Sequence, residues 1–193
     1  MIEYIKGRII ELTPTFLVIE SSGIGYFVNI SLCSFSQLEG STEPQLLIHE
    51  IIREDSQQLF GFAGVYERQI FRHLISVSGV GANTARMMLS SLDPKEIETA
   101  ILESDVNSLK SIKGIGLKTA QRIIVDLKDR VGKSTVAGEI FDLPGNTKRD
   151  EAFTALVMLG FPRSNVGKVL DKLLREDREL AVEMLIKEAL KIL

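Results

Sequence analysis

Shifted along itself by 35 residues, the chain superimposes 74–92 on 109–127, so that Gly79 meets Gly114, Gly81 meets Gly116, Thr84 meets Thr119 and Ala85 meets Ala120. An internal duplication at so short a period constrains the architecture, because each copy is one supersecondary unit that must bury its apolar face against a neighbour. In both copies an apolar helix end leads into Gly-aliphatic-Gly and then into a second helical pattern. The glycines supply a tight turn, the aliphatic residue packs between the helices, and the turn presents bare backbone. Free N–H groups at the start of the second helix, with the positive end of its dipole, form a site for one phosphate oxygen. Nothing in such a site reads a base. The candidate contacts are Gly79, Val80, Gly81, Asn83 and Thr84 in the first copy and Gly114, Ile115, Gly116, Lys118 and Thr119 in the second. Arg86, Lys113, Lys118 and Arg122 lie close enough in sequence to add charge-assisted contacts.

Charge distribution supports that placement. The chain carries a formal net charge of −3, yet residues 66–133 hold 11 basic and 8 acidic groups, whereas 1–65 hold 3 and 8 and 134–193 hold 9 and 10. Only the middle third attracts phosphate. The first third alternates apolar and polar residues in short runs, Ile5 to Ile10, Phe16 to Ile19, Tyr26 to Ile30 and Leu46 to Ile52. Ser21-Ser22-Gly23 sits at hairpin distance between two of them, and 34–38 fits a short helical insert. About five strands in about 60 residues predict a closed or nearly closed barrel of the OB type, since closure removes exposed edges. From Tyr66 the period becomes helical, with Ile70, Phe71, Leu74 and Ile75 on one stripe. Asp93-Pro94-Lys95-Glu96 predicts a helix start with Asp93 as N-cap and Glu96 closing a capping box.

The expected class is α+β, in four segments: an OB-like β domain over 1–65, a tandem helix-hairpin-helix domain over 66–131, a flexible linker over 132–147, and a small three-helix, UBA-like unit over 148–193. The linker assignment rests on Gly132, Gly138, Pro144 and Gly145 among small and polar residues.

Several chemistries fall away. Cys33 is the single cysteine, and His49 and His73 are far apart, so no metal-ligand spacing is recognisable and no cofactor is expected. No stretch is long and apolar enough to span a bilayer, and the charged N-terminus does not read as a signal peptide, so a soluble, cytoplasmic protein with no membrane partner is expected. Gly114-Ile115-Gly116-Leu117-Lys118-Thr119 has Leu where a P-loop places Gly, so nucleotide-driven work must come from a partner. A base-excision glycosylase would need a catalytic Asp beyond its hairpin, but Asp126 and Asp129 follow too soon and Asp142 falls in the expected linker. No paired carboxylates offer a nuclease centre. An adaptor that packs its hairpins against protein partners stays open as a third class.

Taken in order, the β-rich start, Arg53-Glu54-Asp55 followed by Leu59-Phe60-Gly61-Phe62, the two hairpins, and 115–122 followed by 126–130 resemble the RuvA family of Holliday-junction-binding subunits. The resemblance covers essentially the whole chain. It implies a non-catalytic homotetramer that holds a four-way junction open and loads a hexameric RuvB-type ATPase, with a RuvC-type resolvase as a further partner. It also makes Glu54 and Asp55 an acidic pin near the fourfold axis, and puts motor contacts on the third domain near Leu159, Gly160, Phe161 and Val166. The family often carries Lys where this chain has Asn83 and Leu117, which shifts side-chain contacts to Lys113 and Arg86.

Overall fold

The computed structural model describes residues 1–140, 148–177 and 180–193, with the backbone alone at 132–140 and Glu176. Residues 1–135 make one compact unit and 136–193 a second.

The first unit opens with β1 (Tyr4–Lys6), β2 (Arg8–Leu12), β3 (Phe16–Ser21), β4 (Ile24–Asn29), helix α1 (Leu32–Leu38), β5 (Gln45–Ile52) and β6 (Gln57–Phe62). One sheet runs in the order β1-β5-β6-β4-β3-β2. No ladder joins its first and last strands. Those two are consecutive halves of a single stretch, however, so the sheet must curl back on itself to place them at opposite ends of the order. Gly7 is the break between them, and a Cβ there would sit 2.0 Å from the Glu20 carbonyl oxygen. The expected barrel is therefore nearly closed, with covalent continuity where a ladder was a possibility. Ser22 (φ 52°) and Gly23 (φ 80°) form the β3–β4 turn, the two positive values that suit a hairpin to the strand twist. Inside, Leu17, Ile19, Val28, Ile30, Leu46 and Ile48 are fully or almost fully buried.

The helices follow: α2 (Val65–Ile75), α3 (Ala82–Ser91), α4 (Pro94–Leu102), α5 (Val106–Lys110) and α6 (Leu117–Ile140). At α4 the expected capping box forms, with the Lys95 amide donating to Asp93 (2.9 Å) and the Asp93 amide donating to Glu96 (2.8 Å). The helices have no core separate from the sheet's outer side. Phe71 of α2 lies against Phe60 (ring centroids 5.3 Å apart) and Phe62 (4.9 Å) of β6, and these three join Ile70, Leu74, Met88, Ile97, Ile101, Ile123 and Leu127 in one cluster. The β and hairpin domains expected over 1–65 and 66–131 are thus packed into one body.

A second departure concerns the linker. Helix α6 continues to Ile140, through Gly132 and Gly138 and well past the expected end at 131. Each glycine weakens a helix by only about 1 kcal/mol relative to Ala, and Lys133 and Ala137 between them and Glu139 after them are good helix formers. Residues 141–147, the rest of the expected linker, lie outside the described residues.

The second unit contains α7 (Lys148–Met158), α8 (Arg163–Glu176) and α9 (Val182–Leu190) around Ala152, Leu156, Val166, Leu170, Leu173, Leu185 and Ala189. Helix α7 ends with Gly160 at φ 98°, the Gly160 amide bonded to Val157 O (3.0 Å) and the Phe161 amide to Leu156 O (3.2 Å). This pair of bonds is a Schellman cap, and the apolar residue after the glycine packs back on the helix.

Candidate nucleic-acid interface

The duplication extends to individual hydrogen bonds. In the first hairpin Val77 N donates to Leu74 O (3.1 Å), Val80 N to Val77 O (3.0 Å) and Ala85 N to Gly81 O (2.9 Å). In the second, Ile112 N donates to Leu109 O (3.3 Å), Ile115 N to Ile112 O (3.0 Å) and Ala120 N to Gly116 O (2.9 Å). Gly79 and Gly114 hold φ 94° and 90°, which an L side chain rarely adopts, so these two glycines are required by the turn. Gly81 and Gly116 differ. Neither has a positive φ, and a Cβ on either would meet no protein atom within 4 Å. Gly81, at φ −83° and ψ 166°, is the N-cap of α3 and offers no side-chain cap, which leaves the amides of the first helical turn to an outside acceptor. Beyond a modest N-cap preference, nothing within the protein calls for glycine at 81 and 116, whereas close approach of a ligand to bare backbone does.

The side chains around the turns are placed differently from one another. Asn83, Lys113, Lys118 and Arg122 are exposed, and Thr84 and Thr119 are half-buried beside the turns. Arg122 reaches from the second copy to the first, donating to Ser78 O (3.4 Å), so the two hairpins lie next to one another. Leu117, at the start of α6, is half-exposed and brings no charge. Val80 and Ile115 belong to the core, 5% and 4% exposed, and their amides are spent inside the turn. They shape the hairpin but have neither side chain nor N–H to offer a phosphate, which removes them from the expected contacts. Arg86 is also placed elsewhere: its Nη1 donates to Thr15 O (2.8 Å) and to Asn29 Oδ1 (3.0 Å) on the sheet.

Glu54 and Asp55 lie exposed in the turn joining β5 to β6, closed by Arg53 N donating to Ser56 O (2.8 Å). In the second unit, Leu159 is 62% exposed but Val166 is completely buried, and Phe161 packs against the core through the Schellman cap. Val166 is therefore a core residue and no partner contact. Met158, 84% exposed and next to Leu159, is not among the expected contacts. It lies two residues beyond the buried Leu156, on the side of α7 opposite the Ala152–Leu156 stripe.

Buried ionisable groups serve the architecture. Glu67 on α2 accepts from the hydroxyls of Ser31 and Ser34 (2.6 Å for Ser34) at the start of α1, and burial raises its pKa. The Cys33 thiol is pushed up to about 11, by burial first and then by Glu67, which makes it a poor nucleophile. Among the described residues no group of three or more His, Cys, Asp or Glu is placed to hold a metal ion, and no helix is long and apolar enough to cross a membrane.

Two backbone-presenting hairpins in tandem, carried on a curled OB-like sheet and followed by a three-helix unit, define a helix-hairpin-helix protein of the kind that meets DNA at its sugar-phosphate backbone. Family profiles narrow that class: "RuvA N terminal domain" matches residues 1–61, "SAM-like Helix-hairpin-helix tandem" matches 71–129, and "RuvA, C-terminal domain" matches 147–193. The chain is 53% identical over 191 residues to a "Holliday junction branch migration complex subunit RuvA" of Christiangramia forsetii, with 99% of each chain covered. Proteins of the same description from Flavobacterium psychrophilum and Bacteroides fragilis are 48% and 47% identical, again over 99% of each chain. The chain belongs to the RuvA family.

Proposed function

We propose that this protein binds four-way junction DNA without regard to sequence, as a homotetramer that keeps the junction open, and performs no chemistry itself. The observation that carries the proposal is the matched pair of hairpins, each with an unobstructed glycine at the N-terminus of a helix. Lys113, Lys118 and Arg122 add positive charge beside them. Ile10, Ile24, Phe27 and Ile52 are exposed on the sheet and supply apolar surface for the assembly. In that assembly Glu54 and Asp55 stand near the symmetry axis and repel continuous duplex. The third unit, through Met158 and Leu159, engages a RuvB-type hexameric ATPase in the cytoplasm, and a RuvC-type resolvase shares the same junction.

The decisive experiment combines mass measurement of the protein, with and without a synthetic four-way junction, with a gel shift on junction and duplex and a product assay on the same samples. The expected result is a tetramer that shifts the junction in preference to duplex and leaves the DNA intact. Cleaved or base-free product would establish an enzyme instead, and failure to bind either DNA would leave the hairpins as protein-packing elements.

A further inference from the structure

The two copies of the repeat differ in one respect that the duplication makes easy to see. At the position of Arg86 in α3 the second copy has Gln121, and at the position of Ser90 it has Val125. On α6 that face is open: Gln121 is exposed and Val125 is 78% exposed. On α3 the same face is docked against the end of β4, the turn before β3 and the start of α1. Arg86 Nη1 donates to Thr15 O (2.8 Å) and Asn29 Oδ1 (3.0 Å), while Ser90 Oγ accepts from Leu32 N (3.1 Å) and donates to Arg86 O (2.9 Å).

The contacts continue into the sheet. Asn29 Nδ2 donates to Leu59 O (3.2 Å) on β6, the strand that leaves the Glu54–Asp55 turn. Asn29 lies at the short parallel seam of the sheet, where β4 meets β6 only at Val28 with Leu59 and Asn29 with Phe60. Thr15 O also accepts from Ile30 N (3.1 Å), so the carbonyl that receives Arg86 is itself fixed. A hydrogen-bonded path thus runs from the helix that opens the first phosphate site, through Arg86 and Asn29, to the strand that carries the acidic turn. A planar guanidinium that donates two bonds from one nitrogen, half-buried between α3 and the β part of the same unit, is suited to fixing how the first hairpin sits on the sheet.

Building on the function proposed above, we infer that Arg86 is a positioning residue for junction recognition. It holds the first hairpin at a fixed orientation to the acidic turn, and that fixed relation is what separates branched from continuous DNA. Backbone grip alone serves both substrates equally. Simultaneous engagement of hairpins and acidic turn requires matching geometry, and a loose joint lowers the effective concentration of the second contact.

The test compares wild type, Arg86→Met and Asn29→Ala for affinity to a four-way junction and to duplex, each across a salt series, with thermal unfolding as a control. Asn29→Ala removes one of the two acceptors of Arg86, together with the bond to Leu59 O, without removing a charge and leaves the hairpins untouched. Both variants are expected to lose roughly tenfold in junction affinity, to change duplex affinity by about twofold or less, and to keep the wild-type slope of log affinity against log salt. A slope reduced by about 0.9 in Arg86→Met, with Asn29→Ala behaving as wild type, would make Arg86 a direct phosphate contact and overturn the inference. An unchanged junction-to-duplex ratio in both variants overturns it as well. Should Arg86→Met unfold, Asn29→Ala alone decides between these outcomes. Failure of the wild type to prefer junctions would strike the proposed function itself, which is a distinguishable result.

Discussion

Substituting Gly81 and Gly116 together by Ala separates what the fold needs from what a ligand needs. At Gly81 the backbone angles are open to any L residue and an added methyl meets no protein atom within 4 Å; the same space is free at Gly116. Two small effects oppose each other on stability. Ala in place of Gly reduces unfolded-state entropy by about 0.4–1 kcal/mol, and Ala is a poorer N-cap than Gly by a similar amount. The expected change is within about 0.5 kcal/mol per site. Binding is another matter, because the methyl group occupies the approach to the helix amides. A hydrogen bond to a charged group contributes about 1.5–3 kcal/mol, so losing one at each hairpin predicts about 3 kcal/mol, or roughly a hundredfold in affinity. Fluorescence anisotropy with a labelled junction at fixed salt measures the loss, and thermal unfolding checks the fold. As a contrast, Ala at Gly79 and Gly114, where φ is 94° and 90°, is expected to destabilise by about 1–3 kcal/mol per site. A folded Gly81→Ala/Gly116→Ala protein with wild-type affinity would refute the assignment of the phosphate sites.

Three further outcomes follow from other parts of the molecule. Replacing Glu54 by Gln and Asp55 by Asn is expected to raise duplex affinity more than junction affinity, since like charges about 6 Å apart repel by roughly 2.8 kcal/mol at an effective dielectric of 20; an unchanged ratio at low salt, in a variant of wild-type mass, returns the pair to a solvated turn. Met158→Gln with Leu159→Gln is expected to abolish stimulation of a RuvB-type motor while leaving junction binding intact, and full stimulation would remove these residues from the motor contact. Because burial raises the folded-state pKa of Glu67 above its ordinary 4.5, its contribution to stability is fully present below that value and is lost as pH rises through the folded pKa. Denaturant melts should accordingly show wild type losing stability relative to Glu67→Gln as pH climbs from below 4.5 towards neutrality, and parallel curves would contradict that sign.

The hairpins were legible because their determinants are local. Gly79 and Gly114 answer a backbone angle, Val80 and Ile115 answer a gap between helices, and all four fall at a fixed offset that a single sequence displays. The capping box at Asp93 was legible for the same reason. What stayed hidden depended on tertiary contact. Nothing near Arg86 in sequence signals that Thr15 and Asn29, some 71 and 57 positions away, claim its guanidinium before a phosphate can. Likewise Val166 and Met158 carry the same apolar label, and only the packing of α7, α8 and α9 around one core decides that one is inside and the other outside. The extension of α6 beyond 131 is hard to read because two glycines in nine residues resemble linker composition, although each weakens a helix by only about 1 kcal/mol.

The break at Gly7, which sends β1 and β2 to different partners, also bears on the order of events during synthesis. Strand β2 finds β3 within a few residues, by Leu12 pairing with Leu17, but β1 pairs with residues 45–47. At roughly 5–20 residues per second, a nascent chain waits some seconds between making Lys6 and making its partner Gln45. Throughout that interval the first strand emerges with its amides and carbonyls unclaimed, attached to a meander that is already able to form. The strand translated first is thus among the last to be paired.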